Sequence, residues 1–175
     1  MLPEPTERLT FRRMTGADLE AMAELLGNPD VMRYYPRPKS RAEAQAWIDW
    51  NLANYANDGF GLWVLHTTSD GSFVGDCGLT WQEVDGRRVL EIGYHVLPAH
   101  QGKGYATEAA RACLDLALGP IGATHVTAIV NPDNLPSRRV AEHVGMNVET
   151  MTLDRDGRPI VVYALQRPVR SVSGS

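Results

Sequence analysis

The spacing of apolar and polar positions changes several times along the 175-residue chain. A short alternating stretch at 9–13 predicts a strand, and two segments with helical spacing follow it. Each of these begins with a capping-box pattern, Thr15 with Asp18 and Ser40 with Glu43. We predict that the first helix ends at Gly27-Asn28-Pro29. The second helix should end at Asp58-Gly59, with a buried stripe formed by Ala44, Trp47, Ile48 and Leu52.

From residue 60 onward, strand patterns alternate with turn signals such as Asp85-Gly86. The predicted strands are 60–66, 73–84, 89–96, 125–130, 148–153 and 159–166, and the predicted helices are 105–118 and 136–143. Three antiparallel strands that lead into a crossover helix and another strand predict a mixed α/β sheet. We expect one domain over 1–167 and, from its linker-like composition, a flexible tail over 168–175.

Composition and charge narrow the range of partners. Lys and Arg number 17 against 21 Asp and Glu, a net charge of −4, which argues against nucleic acid as the main partner. Every apolar run is shorter than the roughly 20 residues that cross a bilayer, so we expect no membrane association. The N-terminal residues lack a signal-peptide pattern, and the two cysteines, Cys77 and Cys113, fit packing positions in a reducing compartment. We therefore expect a cytoplasmic protein, and the scattered histidines predict no metal site.

The stretch from residue 91 to residue 108 carries the strongest chemical signal. A predicted strand runs into a loop with Gly102 and Gly104, and this loop opens directly onto the predicted helix at 105–118. The free N–H groups at a helix N-terminus carry roughly half a positive charge, and glycines let the backbone approach an anion closely. The segment therefore predicts a phosphate or pyrophosphate site with Lys103 at its rim. The alternative is a loop that only turns the chain.

Two other phosphate-binding loops do not fit this stretch. A Walker A loop needs glycine where Leu97 stands and serine or threonine where Gly104 stands. A Rossmann fingerprint needs a third glycine at Thr107 and an early βαβ unit, whereas this loop lies beyond mid-chain.

With these excluded, the sequence resembles the GNAT superfamily of N-acetyltransferases. Its signature Gln/Arg-x-x-Gly-x-Gly/Ala is matched by Gln101, Gly104 and Ala106. A second signature is matched by the run from Asn134 to Met146, with His143 and Met146 replacing the family's lysine and phenylalanine. The resemblance extends from Arg8 to Leu165 and is strongest to the branch of ribosomal-protein N-terminal acetyltransferases and related small-molecule acetyltransferases.

The resemblance implies a mixed, mostly antiparallel sheet flanked by helices, with two splayed parallel central strands that hold acetyl-CoA. These strands would be the one ending at Val96 and the one at 125–130. The backbone of His95 and Val96 would pair with the pantetheine arm, Asn134 would hydrogen-bond the same arm, and Ser137 would approach the sulfur. The residues expected around the pyrophosphate are Gln101, Gly102, Lys103, Gly104, Tyr105, Ala106 and Thr107.

The resemblance also implies direct transfer of an acetyl group to a primary amine, in a ternary complex with a protein N-terminus or a small-molecule amine. Glu91 would be the base, and the alternative for it is a structural or salt-bridged glutamate. Ser137 would be the acid, and its alternative is a first-turn serine bonded to backbone. His95 could touch the substrate or be a plain strand residue, and Glu108 suits the helix dipole.

The sequence is also compatible with other functions. The chain could transfer a longer acyl group, or it could be a non-catalytic acyl-CoA sensor. Homodimerisation is compatible with this branch. The acceptor pocket would be built from the first two helices, their loop and the final hairpin. The alternative for the aromatic candidates for its walls is that most of them are core or flank packing residues. These candidates are Tyr34, Tyr35, Trp47, Trp50, Tyr55 and Trp81.

Overall fold

The alternating stretches of the sequence form one seven-stranded sheet in the computed structural model, which describes residues 1–167. The expected tail, 168–175, lies outside the described residues. The strands are β1 (Leu9–Arg13), β2 (Leu62–Thr67), β3 (Phe73–Val84), β4 (Arg87–Val96), β5 (His125–Val130), β6 (Asn147–Leu153) and β7 (Pro159–Gln166). The helices are α1 (Leu19–Gly27), α2 (Arg41–Asn57), α3 (Tyr105–Leu118) and α4 (Leu135–His143), with short 3₁₀ turns at Gly16–Asp18 and Pro98–His100.

The strands are arranged in the order β1-β2-β3-β4-β5-β7-β6, and every neighbouring pair is antiparallel except β4 and β5. β4 pairs with β3 along the whole length of β4, from Val84↔Arg87 to Gly75↔Val96. In contrast, β4 pairs with β5 at the single position Glu91↔Thr127. The predicted mixed sheet with two splayed parallel strands is therefore confirmed, and the edge of β4 beyond Glu91 is left open on the β5 side.

Two successive residues of β3 show that the helices cover both faces of the sheet. Trp47 of α2 donates its indole N–H to Asp76, whereas Cys113 of α3 lies 3.6 Å, Sγ to Sγ, from Cys77. Because successive side chains of a strand point to opposite faces, α2 and α3 lie on opposite sides of the sheet. We call these the α2 face and the α3 face.

Local sequence signals place the starts of the first helices correctly. Thr15 and Asp18 form the predicted capping box on the 3₁₀ turn that leads into α1, and Ser40 and Glu43 form the one at the start of α2. Each satisfies backbone N–H groups that the first turn of a helix leaves without partners.

The predicted buried stripe of α2 is wrong at Leu52, which is 41% exposed. Asn51 is fully buried in its place. Its Oδ1 accepts the Leu62 N–H at 2.8 Å and its Nδ2 donates to the Trp47 carbonyl at 3.0 Å. The true stripe is therefore completed by a polar residue that binds the start of β2, which a search for apolar positions does not detect.

Candidate active site

The loop before α3 has the geometry of an anion site. Gly102 and Gly104 adopt φ of +72° and +83°, a conformation that strongly favours glycine. No side chain among residues 1–167 caps the start of α3, and no acceptor in that range binds the N–H groups of 102–107. These N–H groups and the positive end of the α3 dipole are available to an anion.

Gln101, a predicted cofactor-binding residue, fastens this loop to β4. Its Nε2 donates to the Val96 carbonyl at 2.9 Å, and its backbone N–H donates to the Pro98 carbonyl at 3.2 Å. Both bonds lie within the protein, so the free N–H groups of the loop begin at Gly102. The signature glutamine positions the loop by joining it to the end of the strand.

The N-terminal segment binds the same loop and the start of α3. Arg8 donates from its guanidinium to the Lys103 carbonyl at 2.8 Å and to the Glu108 carboxylate at 2.7 Å. Glu108 also accepts from the Thr6 hydroxyl at 2.5 Å and from the Arg8 backbone N–H at 3.0 Å. Glu108 therefore does more than complement the helix dipole, because it ties the start of the chain to the start of α3.

Glu91 lies at the point where β4 and β5 separate, since it forms their one paired position with Thr127. Burial raises the pKa of its carboxyl to about 7, although the Ile129 N–H, the nearby His95 and the Thr80 hydroxyl all act to lower it. A carboxyl with a pKa near the working pH can accept a proton and release it again. Glu91 is therefore suited chemically to general-base work.

Ser137 lies in the first turn of α4, next to Tyr94 of β4. The Ser137 hydroxyl donates to the Tyr94 hydroxyl at 3.0 Å, and the Tyr94 hydroxyl donates to the Ser137 carbonyl at 2.8 Å. Asn134 caps α4, accepting the Ser137 N–H at 3.1 Å through its Oδ1. Sequence reasoning missed Tyr94, although its place inside the motif strand was a usable signal.

The two predicted catalytic residues, Glu91 and Ser137, lie on opposite faces of the sheet. His95 is paired with Asp76 and Tyr94 with Cys77, so His95 faces α2 and Tyr94 faces α3. Glu91 is four residues before His95 and shares its face. Glu91 therefore lies on the α2 face of the sheet, and Ser137, bonded to Tyr94, lies on the α3 face.

A second polar cluster lies on the α2 face around His95, which is 8% exposed. Asp76 is fully buried and lies 2.7 Å from Nδ1 of His95, while the Tyr35 hydroxyl lies 2.8 Å from Nε2. Trp47 donates its indole N–H to the other Asp76 oxygen at 3.1 Å. Asp76 was missed from the sequence, although a carboxylate inside the apolar stretch of β3 was a signal for it.

Some of the aromatic candidates for the acceptor pocket lie around His95, and others lie elsewhere in the fold. Tyr35 and Trp47 contact His95, and Trp50 packs against Trp47 with ring centroids 5.2 Å apart. Tyr55 is instead a core residue, whose hydroxyl donates to the Leu62 carbonyl and accepts the Met14 N–H. Trp81 lies under the Arg88 guanidinium and is 37% exposed.

Comparison with known proteins identifies the family. Residues 8–147 match the acetyltransferase (GNAT) domain family. The chain belongs to the GNAT acetyltransferases. The uncharacterized protein YkkB of Bacillus subtilis strain 168 is 38% identical over 159 residues, which cover 90% of this chain and 92% of YkkB.

Solved structures agree with this assignment. An acetyltransferase from Agrobacterium tumefaciens superposes with a TM-score of 0.83 at 26% identity, covering 95% of each chain. A GNAT-family acetyltransferase from Bacillus anthracis gives 0.78 at 26% identity, covering 95% of this chain and 98% of its own. Structures of two ribosomal-protein acetyltransferases, at 12% and 16% identity, share the fold. The match of residues 8–147 to the GNAT domain family confirms the predicted family.

As a member of this family, the protein is an acetyl-CoA-dependent acyltransferase. Its two cysteines are fully buried, and burial raises the pKa of the Cys77 thiol, which agrees with the predicted packing role. Within residues 1–167, no cluster of three or more His, Cys, Asp or Glu side chains could bind a metal. None of the helices in that range is both long and apolar enough to cross a membrane.

Proposed function

We propose that this acetyltransferase moves the acetyl group of acetyl-CoA directly to a primary amine, either a protein N-terminus or a small-molecule amine. The observation that carries the proposal is the position of Glu91 and Ser137 on opposite faces of the same open gap. An amine and a thiol must both touch the thioester carbon during transfer. A base on one face and a hydroxyl on the other serve these two groups separately.

Acetyl-CoA fits the residues present. The pyrophosphate rests on the free N–H groups of 102–107, with Lys103 at the rim. The pantetheine arm follows the open edge of β4 near His95 and Val96, as an added strand does. Asn134 caps α4 through its Oδ1 and keeps its Nδ2 for this arm, which brings the sulfur to Ser137.

The amine has to lose a proton before it attacks. A lysine-like ammonium with a pKa near 10.4 is short of its neutral form at pH 7 by roughly 5 kcal/mol, whereas an α-amine needs much less help. Glu91, with its pKa raised to about 7, takes this proton from the α2 face. Glu91 shares this face with Trp47, which packs against Trp50 and His95, and a carboxylate and aromatic rings on one face suit a cation.

The sulfur is served from the α3 face. As the C–S bond breaks, the thiolate takes up a proton from the hydroxyl pair of Ser137 and Tyr94, whose oxygens are 3.0 Å apart. Burial raises the pKa of Tyr94 and favours its protonated form, so it stays a donor at neutral pH. Tyr94 is thus a partner of Ser137 in this step.

The experiment that tests the proposal is free-thiol release from acetyl-CoA across an amine panel. The panel contains peptides with different N-termini, lysine peptides, spermidine, free amino acids and an aminoglycoside. We expect turnover with one class, and Glu91→Gln should remove it. In parallel, acetyl-CoA at about 100 times its Kd should stabilise the fold by about 3 kcal/mol, seen as a higher Tm.

Two results would contradict the proposal in different ways. Stabilisation by acetyl-CoA without thiol release from any amine would favour an acyl-CoA sensor. Release from a longer acyl-CoA, but none from acetyl-CoA, would instead change the donor.

A further inference from the structure

The groups around His95 form a hydrogen-bonded chain that the transfer steps above do not use. It runs from the indole N–H of Trp47 to Asp76, from Asp76 to Nδ1 of His95, and from Nε2 to the Tyr35 hydroxyl. Asp76 is 0% exposed and His95 8%, so water does not compete for the bonds that Asp76 makes. The chain lies on the α2 face, the same face as Glu91.

Asp76 determines which nitrogen of His95 carries the proton. A carboxylate only accepts hydrogen bonds, and one that is fully buried needs donors on its oxygens. Its donors are Trp47 at one oxygen and Nδ1 of His95 at the other. Nδ1 therefore carries the hydrogen, and Nε2 presents a lone pair that accepts from Tyr35. An imidazole held in this way by a carboxylate is oriented to accept a proton at Nε2.

The proton balance of the reaction requires a second proton acceptor besides Glu91, or the release of a proton from Glu91 before it accepts another. R–NH3⁺ and acetyl-CoA give R–NH–CO–CH3, the CoA thiol and H⁺, with one N–C bond formed and one C–S bond broken. The nitrogen loses two protons on the α2 face, while the thiolate gains one from the Ser137–Tyr94 pair on the α3 face. That pair takes a proton back from solvent, so one H⁺ is released overall. After Glu91 has taken the first proton it cannot take the second until it has released the first.

We propose that His95 is a second catalytic proton acceptor for the amine, that Asp76 is its positioning residue, and that Tyr35 covers Nε2 until the amine arrives. This inference rests on the proposed function. Tyr35 belongs to the segment between α1 and α2 and is 44% exposed, so its hydroxyl can leave Nε2 without opening the core. Asp76 is fixed within β3, and His95 stays oriented when Tyr35 moves.

The first test needs no amine substrate. Nitrogen-15 histidine NMR of the free protein, assigned with His95→Asn, reports which ring nitrogen carries the hydrogen. We expect the Nδ1–H tautomer in the wild type and the Nε2–H tautomer in Asp76→Asn. The inversion is expected because Trp47 still donates to the asparagine oxygen, which turns the amide NH2 toward Nδ1. An Nε2–H tautomer in the wild type, or no change in Asp76→Asn, overturns the proposal.

The second test uses acetyl-CoA and the best amine of the panel. Asp76→Asn and His95→Gln should each lower kcat at least 100-fold, within the range general-base catalysis contributes, while the Kd for acetyl-CoA changes less than threefold. Tyr35→Phe should instead raise kcat/KM for the amine, since no hydroxyl has to be displaced. Matched controls are Asp115→Asn on the exposed side of α3 and His66→Gln on β2, both expected to act like the wild type.

The outcomes separate this inference from the proposed function. If the wild type releases thiol and both His95→Gln and Asp76→Asn keep kcat within threefold, His95 is not an acceptor, although the transferase function stands. A lower Tm with unchanged kcat would show that the cluster only joins α2 to the sheet. If the wild type releases no thiol, the proposed function fails, and the NMR measurement alone decides whether Nε2 is free to accept.

Discussion

Replacing Glu91 by glutamine should make the protein more stable at pH 8 while removing its turnover. Burial raises the pKa of Glu91 from an ordinary 4.5 to about 7, so the folded protein holds a proton that the unfolded chain has already released. Between these values the stability of the wild type falls as pH rises, because the folded state binds more protons than the unfolded state. Glutamine is neutral at every pH and carries no such penalty.

The magnitude follows from the two pKa values. A pKa raised from 4.5 to about 7 corresponds to about 3 kcal/mol at pH 8, and the effect vanishes below pH 4. Urea unfolding of the wild type and Glu91→Gln at pH 4, 6 and 8 measures it directly. The difference in unfolding free energy should shift toward the variant by about 1 kcal/mol per pH unit across this window.

A control with the opposite sign is available at Glu108. Burial would raise its pKa, but bonds from Thr6 and Arg8 lower it below its ordinary value, so Glu108→Gln should lose stability relative to the wild type as pH rises. A difference between the wild type and Glu91→Gln that stays constant from pH 4 to 8 would refute the reasoning. It would mean that the carboxyl ionises as freely in the folded protein as in the unfolded chain.

Further predictions concern the gap between β4 and β5, the contact of Arg8 with Glu108, and the loop before α3. Wild-type kcat/KM should rise with pH and level off above about 7, because the proposed base, Glu91, acts in its ionised form. Ser137→Ala should lower kcat at least tenfold with little change in acetyl-CoA affinity by calorimetry. Arg8→Ala should weaken acetyl-CoA binding and lower the Tm, and adding Glu108→Gln should cost little more, since one contact is lost in both. Gly104→Ala should destabilise by about 1 kcal/mol at its φ of +83° and weaken acetyl-CoA binding, measured by thermal shift with and without the ligand.

Features encoded by neighbouring residues were predictable from the sequence. The capping boxes at Thr15 and Ser40 each depend on two residues three positions apart, and both are present. The loop with two glycines that opens onto α3 was predictable because its glycines and the helix are contiguous in sequence. The bounds of α3, β5 and β7 were also correct, because each has clear turn or breaker residues at its ends.

Features that depend on distant contacts were not predictable in this way. Glu108 binds Arg8, which lies 100 positions away in the sequence, so no local pattern of residues indicates this contact. Asn51 is buried because it bonds to the start of β2, and its polar character hid it from a hydrophobic stripe. Asp76 becomes meaningful only when β3 brings it beside His95. Glu91 was predicted as the base from the family resemblance alone. Its raised pKa depends on burial, which only the fold shows.

The alternation of β4 between the two faces of the sheet has a consequence for variation in this family. Positions 91, 93 and 95 face α2, where we propose that the amine binds, while 92 and 94 face α3, where we propose that the CoA sulfur is protonated. Selection for a new amine can therefore act on every second residue of one strand and leave the acetyl-CoA contacts between them intact. A saturation library across this strand, sorted separately for amine preference and for acetyl-CoA affinity, should show two interleaved patterns of tolerance, each with a period of two residues.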